Sequence, residues 1–346
     1  MDEAGFPKSA HRFWDKNPAK TTDSKLPFVG VARNGCLGGS SPLPKRDPSG
    51  KTGFALLRIM RLGICATDRE TPMDIVDRIN AEKTLIFTVT PGRSGTKYLC
   101  ALLGSVPGIA SHHEPLPDFV SAMRRAQQAP EMAFAFLRDV KLPFIAELPS
   151  PIYAETSHLF CKGFFEPAIL MGLRPKLIIL RRPPSEVAWS LVERDTIPTR
   201  TPYGCLYLLD PRDPGVMPLR GWEHMTDYQL CFWYALEIER RQLRYADFAA
   251  QLGLACFEVL QRDLGTSEVF AAMMRTLDIP MNGTAVSDHE SISAVRHNGN
   301  KRRLVKPDNL EAQEAELWQA MLSYEPLLSS AIEAKYEAAG KAAVAA

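Results

Sequence analysis

From Lys83 onward, short runs of aliphatic and β-branched residues alternate with segments whose apolar positions recur every three or four residues. The short runs predict strands at 84–89, 108–112, 158–162, 176–180 and 255–260. The periodic segments predict helices at 96–105, 117–129, 131–140, 166–172, 184–194 and 267–277. A long helix is expected over about 222–250, with Met225, Phe232, Leu236 and Leu243 on one buried face. Residues 195–220 are Pro-rich and without a period, which predicts a long loop of the kind that often carries function. From Asp308 the tail places Leu310, Leu317, Met321, Tyr324 and Leu328 on one helical face, with a break near Pro326. Strands and helices in alternation predict a three-layer α/β domain over 81–340, in which helices cover both faces of a central parallel sheet of about five strands.

Residues 1–80 read differently. Pro, Gly, Ser, Lys and Asp dominate as far as Gly53, and such a composition buries too little apolar surface to offset chain entropy, so this extension is expected to be largely disordered. Gly50-Lys51-Thr52 imitates the end of a Walker A loop, but the glycine needed five residues earlier is Lys45. The apolar run at 54–62 carries Arg58 and Arg61 and reads as a small docking helix rather than a membrane-surface one.

Composition narrows the function. The 346 residues are 45% hydrophobic and 23% charged, which fits a globular chain. With 41 basic against 40 acidic residues the net charge is +1, so no global field favours nucleic acid, and any bound anion must be held by a local cluster. No apolar run reaches the roughly 18–20 residues that span a bilayer, and Asp2 and Glu3 break the order of a secretory signal. Seven scattered cysteines without a C-x-x-C pair point away from zinc and disulfide frameworks and toward a reducing, cytoplasmic setting.

The segment TLIFTVTPGRSGTKYLCALL holds the densest chemistry. A strand ends at Val89, a turn with two glycines follows, and a helix begins at Thr96. Unpaired N–H groups of a first helical turn form an anion site, glycines permit close backbone approach, and Arg93 adds fixed charge. A phosphate or sulfate at Gly92, Arg93, Ser94, Gly95, Thr96 and Lys97 is the expectation. The string is not a Walker A loop, since Lys97 follows Gly95-Thr96.

Pro91-Gly92-Arg93-Ser94-Gly95-Thr96 resembles the 5′-phosphosulfate loop of sulfotransferases that use 3′-phosphoadenylyl sulfate (PAPS), with Lys97 where a second Thr is frequent. KLIILRRPPSEVAWSLVERD is similar to that family's second signature, an Arg and a Ser eight residues apart, here Arg182 and Ser190. The resemblance implies a P-loop nucleotide-kinase-like sheet, PAPS as donor, and Arg182 and Ser190 on its 3′-phosphate, with Arg181 as a neighbour able to share the role. Glu258, within the last predicted strand, stands where relatives carry an acid, and the basic run 296–303, Arg302 included, falls where relatives cover the same phosphate. The fourth strand runs into Arg181-Arg182 instead of a Walker B acid, which suits phosphate and predicts chemistry without a metal ion.

Sulfuryl transfer needs a base for the acceptor, cations at the transferred group, and in-line placement. Ser111-His112-His113-Glu114-Pro115 closes the second predicted strand, at the sheet edge where such folds bind ligands. By resemblance to the protein-tyrosine and carbohydrate enzymes, Glu114 is the expected base, with His113 the alternative because cytosolic relatives use a His. Lys162, at the end of HLFCK, resembles a Lys near the bridging oxygen, and Arg93 and Lys162 would stabilise charge. The accepting group, a hydroxyl or an amine, stays open among small alcohol, glycan, lipid and peptide; the loops 117–150 and 195–220 are where its pocket is expected. A non-catalytic nucleotide-binding regulator on the same fold is the alternative, and a kinase-like phosphotransferase is opposed by both missing Walker elements.

Overall fold

The computed structural model describes residues 72–281, 292 and 304–344, all within the compact unit Cys65–Ala346. The expectations for residues 1–71 and for the basic run 296–303, with Arg302, lie outside the described residues.

In chain order the elements are α1 Pro72–Glu82, β1 Thr84–Val89, α2 Thr96–Gly104, β2 Ile109–His112, α3 Val120–Gln128, α4 Glu131–Phe136, a π-helical turn Leu137–Lys141 and α5 Leu142–Ala146. There follow β3 Ile152–Glu155, α6 Phe165–Leu170, β4 Lys176–Arg181, α7 Pro184–Val192, α8 Pro202–Tyr207, α9 Asp227–Leu252, β5 Cys256–Leu260, α10 Ser267–Thr276, α11 Leu310–Leu322 and α12 Leu328–Val344. The five strands form one parallel sheet in the order β2-β3-β1-β4-β5, so β1 is central and the chain crosses it between β3 and β4.

Alternation along the strands explains the layers. Leu85, Phe87 and Val89 of β1 and Leu177 and Ile179 of β4 face one core with residues of α3 and α9, whereas Ile86, Ile178 and Leu180 face a second core with α2 and α10. In the first core Phe87 stacks on Phe160 with ring centroids 4.2 Å apart.

The third strand is not where the sequence pattern puts it. Residues 158–162 form a turn closed by Lys162 N–H donating to Leu159 O at 2.8 Å, and β3 is Ile152–Glu155. Leu159, Phe160 and Cys161 are apolar because they are fully buried against the core, not because they pair in a sheet. The helix expected over 131–140 widens into the π-helical turn, since Pro143 has no N–H to give to Asp139 in α-helical register. The loop 195–220 contains α8, started by Pro202 in its first turn and by Thr201, whose hydroxyl accepts from Gly204 N–H at 3.2 Å.

α9 begins at Asp227 under a capping box of Thr226 and Gln229, so Met225 lies ahead of it, and it ends at Gly253. Its burial extends around the whole cylinder between Tyr228 and Gln242, beyond the single face expected. The charged positions tolerate this because they are paired. Glu237 receives Arg240 at 2.9 Å and Arg241 at 2.7 Å, and Glu239 receives Arg181. In the tail, Leu317, Met321 and Leu328 are buried as the pattern predicts, whereas Tyr324 is exposed.

Candidate active site

β1 delivers the chain to the carboxyl edge of the sheet, where the loop 90–96 turns into α2. Gly92, Arg93 and Gly95 all have positive φ, at 80°, 58° and 89°. At Gly92 a side chain is doubly disfavoured, because a Cβ would also meet His158 Cγ at 3.2 Å. The loop is held from behind. The Thr90 and Ser94 hydroxyls bond to each other, Tyr234 OH donates to Pro91 O at 2.6 Å, and Gln242 Nε2 donates to Val89 O at 2.9 Å. The first turn of α2 has Gly95 as its N-cap and no side-chain cap, so its first N–H groups lack partners within the helix.

The two anion motifs converge here. Arg93 Nε donates to Ser190 Oγ at 3.2 Å, and Arg182 Nη1 donates to Arg93 O at 2.5 Å, joining α2's loop to the turn after β4. Burial, with Arg194 and Arg182 nearby, lowers Arg93 to about 10, only partly offset by Glu193 and Glu114. Cationic repulsion of this kind is relieved by a bound anion. Arg181 does not share the role: it is buried, with Nη2 at 2.8 Å from Glu258 and Nη1 on Glu239. Glu258 is also held by Lys335 at 2.6 Å, so this acid of β5 serves that network.

A cleft of about 430 Å³ opens beside the loop, lined by Pro91, Gly92, Arg93, Thr96, Lys97, His113, Glu114, His158, Leu191, Arg194, Thr196, Tyr203, Tyr207 and Leu208. Ser94 and Gly95 stand outside this lining, Ser94 fully buried with its hydroxyl turned to Thr90. The acceptor-loop expectation divides likewise: 195–220 contributes four lining residues, and 117–150 contributes none among the described residues.

Glu114 follows β2 in a left-handed conformation, φ 50°. Its turn is pinned by Thr156 N–H donating to His112 O at 2.9 Å and by His113 Nδ1 at 3.0 Å from Thr156 O. At the far end Lys141 Nζ, itself 2.7 Å from the buried Glu155 carboxylate, donates to Pro117 O at 2.9 Å. Across the cleft, His158 Nε2 lies 3.4 Å from Glu114 Oε1.

Lys162 is fully buried instead of standing at an open strand end. Its Nζ donates to Tyr207 O at 2.6 Å and sits 2.7 Å from His158 Nδ1. Burial lowers the Lys162 ammonium to about 7, against an attraction from Glu114. Burial and the neighbouring Lys162 also push the His158 imidazolium well below its ordinary value, so this ring is neutral near pH 7. A neutral ring accepting from Lys162 at Nδ1 carries its proton on Nε2, which faces Glu114. The three side chains thus stand in the order Lys162–His158–Glu114, with the imidazole between the amine and the carboxylate. His158 escapes the sequence reading because it is assigned there to a strand; its signal is the His-x-x-x-Lys spacing, whose two ends the turn 158–162 brings together.

Among the described residues, no cluster of three or more His, Cys, Asp or Glu is arranged to hold a metal ion, and no helix is long and apolar enough to cross a membrane. No family model and no curated protein matches the chain. Among solved structures it is similar to the sulfotransferase domain from the curacin biosynthetic pathway, at TM-score 0.39 and 13% identity over 68% of this chain and 97% of that one. It is also similar to mouse sulfotransferase SULT7A1 complexed with PAP, at TM-score 0.41 and 10% identity over 74% and 92%. A third is the sulfotransferase domain from the Synechococcus PCC 7002 olefin synthase, at TM-score 0.39 and 14% identity over 69% and 95%.

Proposed function

We propose that the chain is a PAPS-dependent sulfotransferase acting on a hydroxyl acceptor. The observation that carries this reading is the convergence of Arg93, Arg182 and Ser190 from two strand-ends at one helix N-terminus. Two anionic groups of one nucleotide match such a split site, the phosphosulfate on the Gly92–Lys97 loop and the 3′-phosphate on Arg182 and Ser190.

In the reaction the acceptor oxygen bonds to sulfur, the bond from sulfur to the phosphate oxygen breaks, and its electron pair leaves with the phosphate. Glu114 takes the acceptor's proton, with His158 Nε2–H orienting the carboxylate. Arg93 and the α2 N-terminus stabilise the negative charge that moves to the leaving phosphate, and Lys162, taking up a proton when the anion binds, adds to that field. Fixed cations in the chain perform the work that a divalent ion does in nucleotide kinases, so binding proceeds without added metal.

Adenosine 3′,5′-bisphosphate is therefore expected to raise the melting temperature in the presence of a chelator. At about 100 times Kd the linkage is worth ~2.7 kcal/mol. Arg182→Ala and Ser190→Ala lose the shift, while Glu114→Gln keeps it because that side chain faces the acceptor. A larger shift with Mg-ATP, or equal loss in all three variants, refutes the assignment.

A further inference from the structure

We propose that Lys335 of α12 is a positioning residue of the nucleotide site: it balances the second of two carboxylates gathered on Arg181, the neighbour of Arg182, and so keeps that strand end attractive to a phosphate. This rests on the sulfotransferase reading, which gives the 3′-phosphate to Arg182, and extends it to a helix that does not line the cleft.

The end of β4 collects more negative charge than its own arginine can balance. Arg181 is buried, with Nη1 on Glu239 and Nη2 2.8 Å from Glu258. One guanidinium therefore serves two carboxylates, and these repel each other. α12 completes the set. Lys335 Nζ lies 2.6 Å from Glu258 Oε1, and Tyr336 OH donates to Glu239 Oε1 at 2.6 Å. Burial works against the Glu258 anion, but Arg181 and Lys335 outweigh it and hold this carboxyl below its ordinary value.

The next residue along the chain is Arg182, whose Nε donates to Glu186 at 3.0 Å while Nη1 holds Arg93 O. Glu186 also acts on the Tyr336 hydroxyl, so the two groups lie within electrostatic reach of each other. With Lys335 in place, two cations face Glu239 and Glu258. Without it one negative charge is left over beside Arg182, and at a partly buried site such a charge acts over about 10 Å in dilute salt. The helix does not depend on the lysine for its seat, because Leu328 and Ile332 are buried in the first core. Charge and docking can therefore be changed separately.

The test is calorimetric titration of the full chain with adenosine 3′,5′-bisphosphate and, separately, with inorganic pyrophosphate. In dilute salt, Lys335→Gln is expected to weaken the bisphosphate about threefold. Glu258→Gln strengthens it by a similar factor, Lys335→Arg retains it, and the double variant Lys335→Gln/Glu258→Gln returns to wild-type affinity. In about 1 M salt, where screening is nearly complete, wild type and Lys335→Gln converge; this salt series carries the test where Glu258→Gln fails to fold. A lysine with a merely structural role predicts a double variant that binds no better than Lys335→Gln and a loss that salt does not erase. Either of those results, or unchanged affinity in Lys335→Gln, overturns the proposal. A chain that binds pyrophosphate but not the bisphosphate refutes the donor reading, and the same variants titrated with pyrophosphate then decide the role of Lys335. Bisphosphate affinity that is equal in wild type and all four variants does the reverse. Failure to bind either anion overturns both.

Discussion

Glu114 and Lys162 are joined through one imidazole, and each makes a separable prediction. Replacing Glu114 by Gln keeps the size of the side chain and removes its ability to take a proton, so turnover is expected to fall by roughly 10²–10⁴. His113→Ala, whose ring is tied to Thr156, is expected to fall far less. Single-turnover rates with labelled PAPS compare the two, and the opposite ranking would make His113 the base. For Lys162, burial lowers the folded ammonium to about 7, while the unfolded one titrates at its ordinary value near 10.5. Between those values the unfolded chain holds more protons, so this residue makes stability rise with pH and fall again toward neutrality. Melting temperatures from pH 7 to 10 should show that rise in the wild type relative to Lys162→Met; parallel curves would contradict it. Neither residue's environment is legible in the sequence. PGRSGT and the Arg182–Ser190 spacing are local strings, but the burial of Lys162 depends on Tyr207 and Tyr234, 45 and 72 positions away.

The loop between β1 and α2 is the element where backbone conformation and site chemistry meet. Gly92→Ala forces an L-residue into φ 80°, at a cost of about 1–2 kcal/mol, and drives its methyl against His158. A lowered melting temperature together with weaker bisphosphate binding is expected, and unchanged affinity would show that the loop relaxes freely. Elements whose own residues carry the pattern, such as the continuous apolar runs of β1 and β4, are readable from sequence. β3 is not, because its four residues end in Glu155, a charge that looks incompatible with a buried strand until Lys141 arrives from the π-helical turn to pair with it. α8 is hidden for a different reason. Six residues starting at a proline have too little length for a period to show.

At the scale of the molecule, α9 ties the carboxyl ends of β1 and β4 together through Gln242, whose Nε2 donates to both Val89 O and Leu180 O and whose Oε1 accepts from Arg181. Gln242→Leu removes both donors from buried carbonyls, with an expected loss on the order of 1–3 kcal/mol. Bisphosphate affinity should fall with it, because the Arg93 loop and the Arg182 turn lose their common anchor; chemical denaturation and calorimetry measure the two effects. A destabilised variant with intact affinity would show that the sheet alone fixes their spacing. The pairing of charges around α9 explains why its full burial was not visible as hydrophobicity. Glu237, Glu239, Arg240 and Arg241 read as solvated positions and are all buried.

The anchoring by α9 has an evolutionary consequence. Its side chains grip the surrounding segments by their backbones: Tyr234 holds Pro91 O, Gln242 holds Val89 O and Leu180 O, Arg241 holds Cys161 O, and Trp233 holds Met217 O. A carbonyl accepts in the same way whatever side chain its residue carries. Those segments can therefore exchange side chains without losing their positions, and inheritance can revise what the cleft recognises while the frame that aims it is left unaltered.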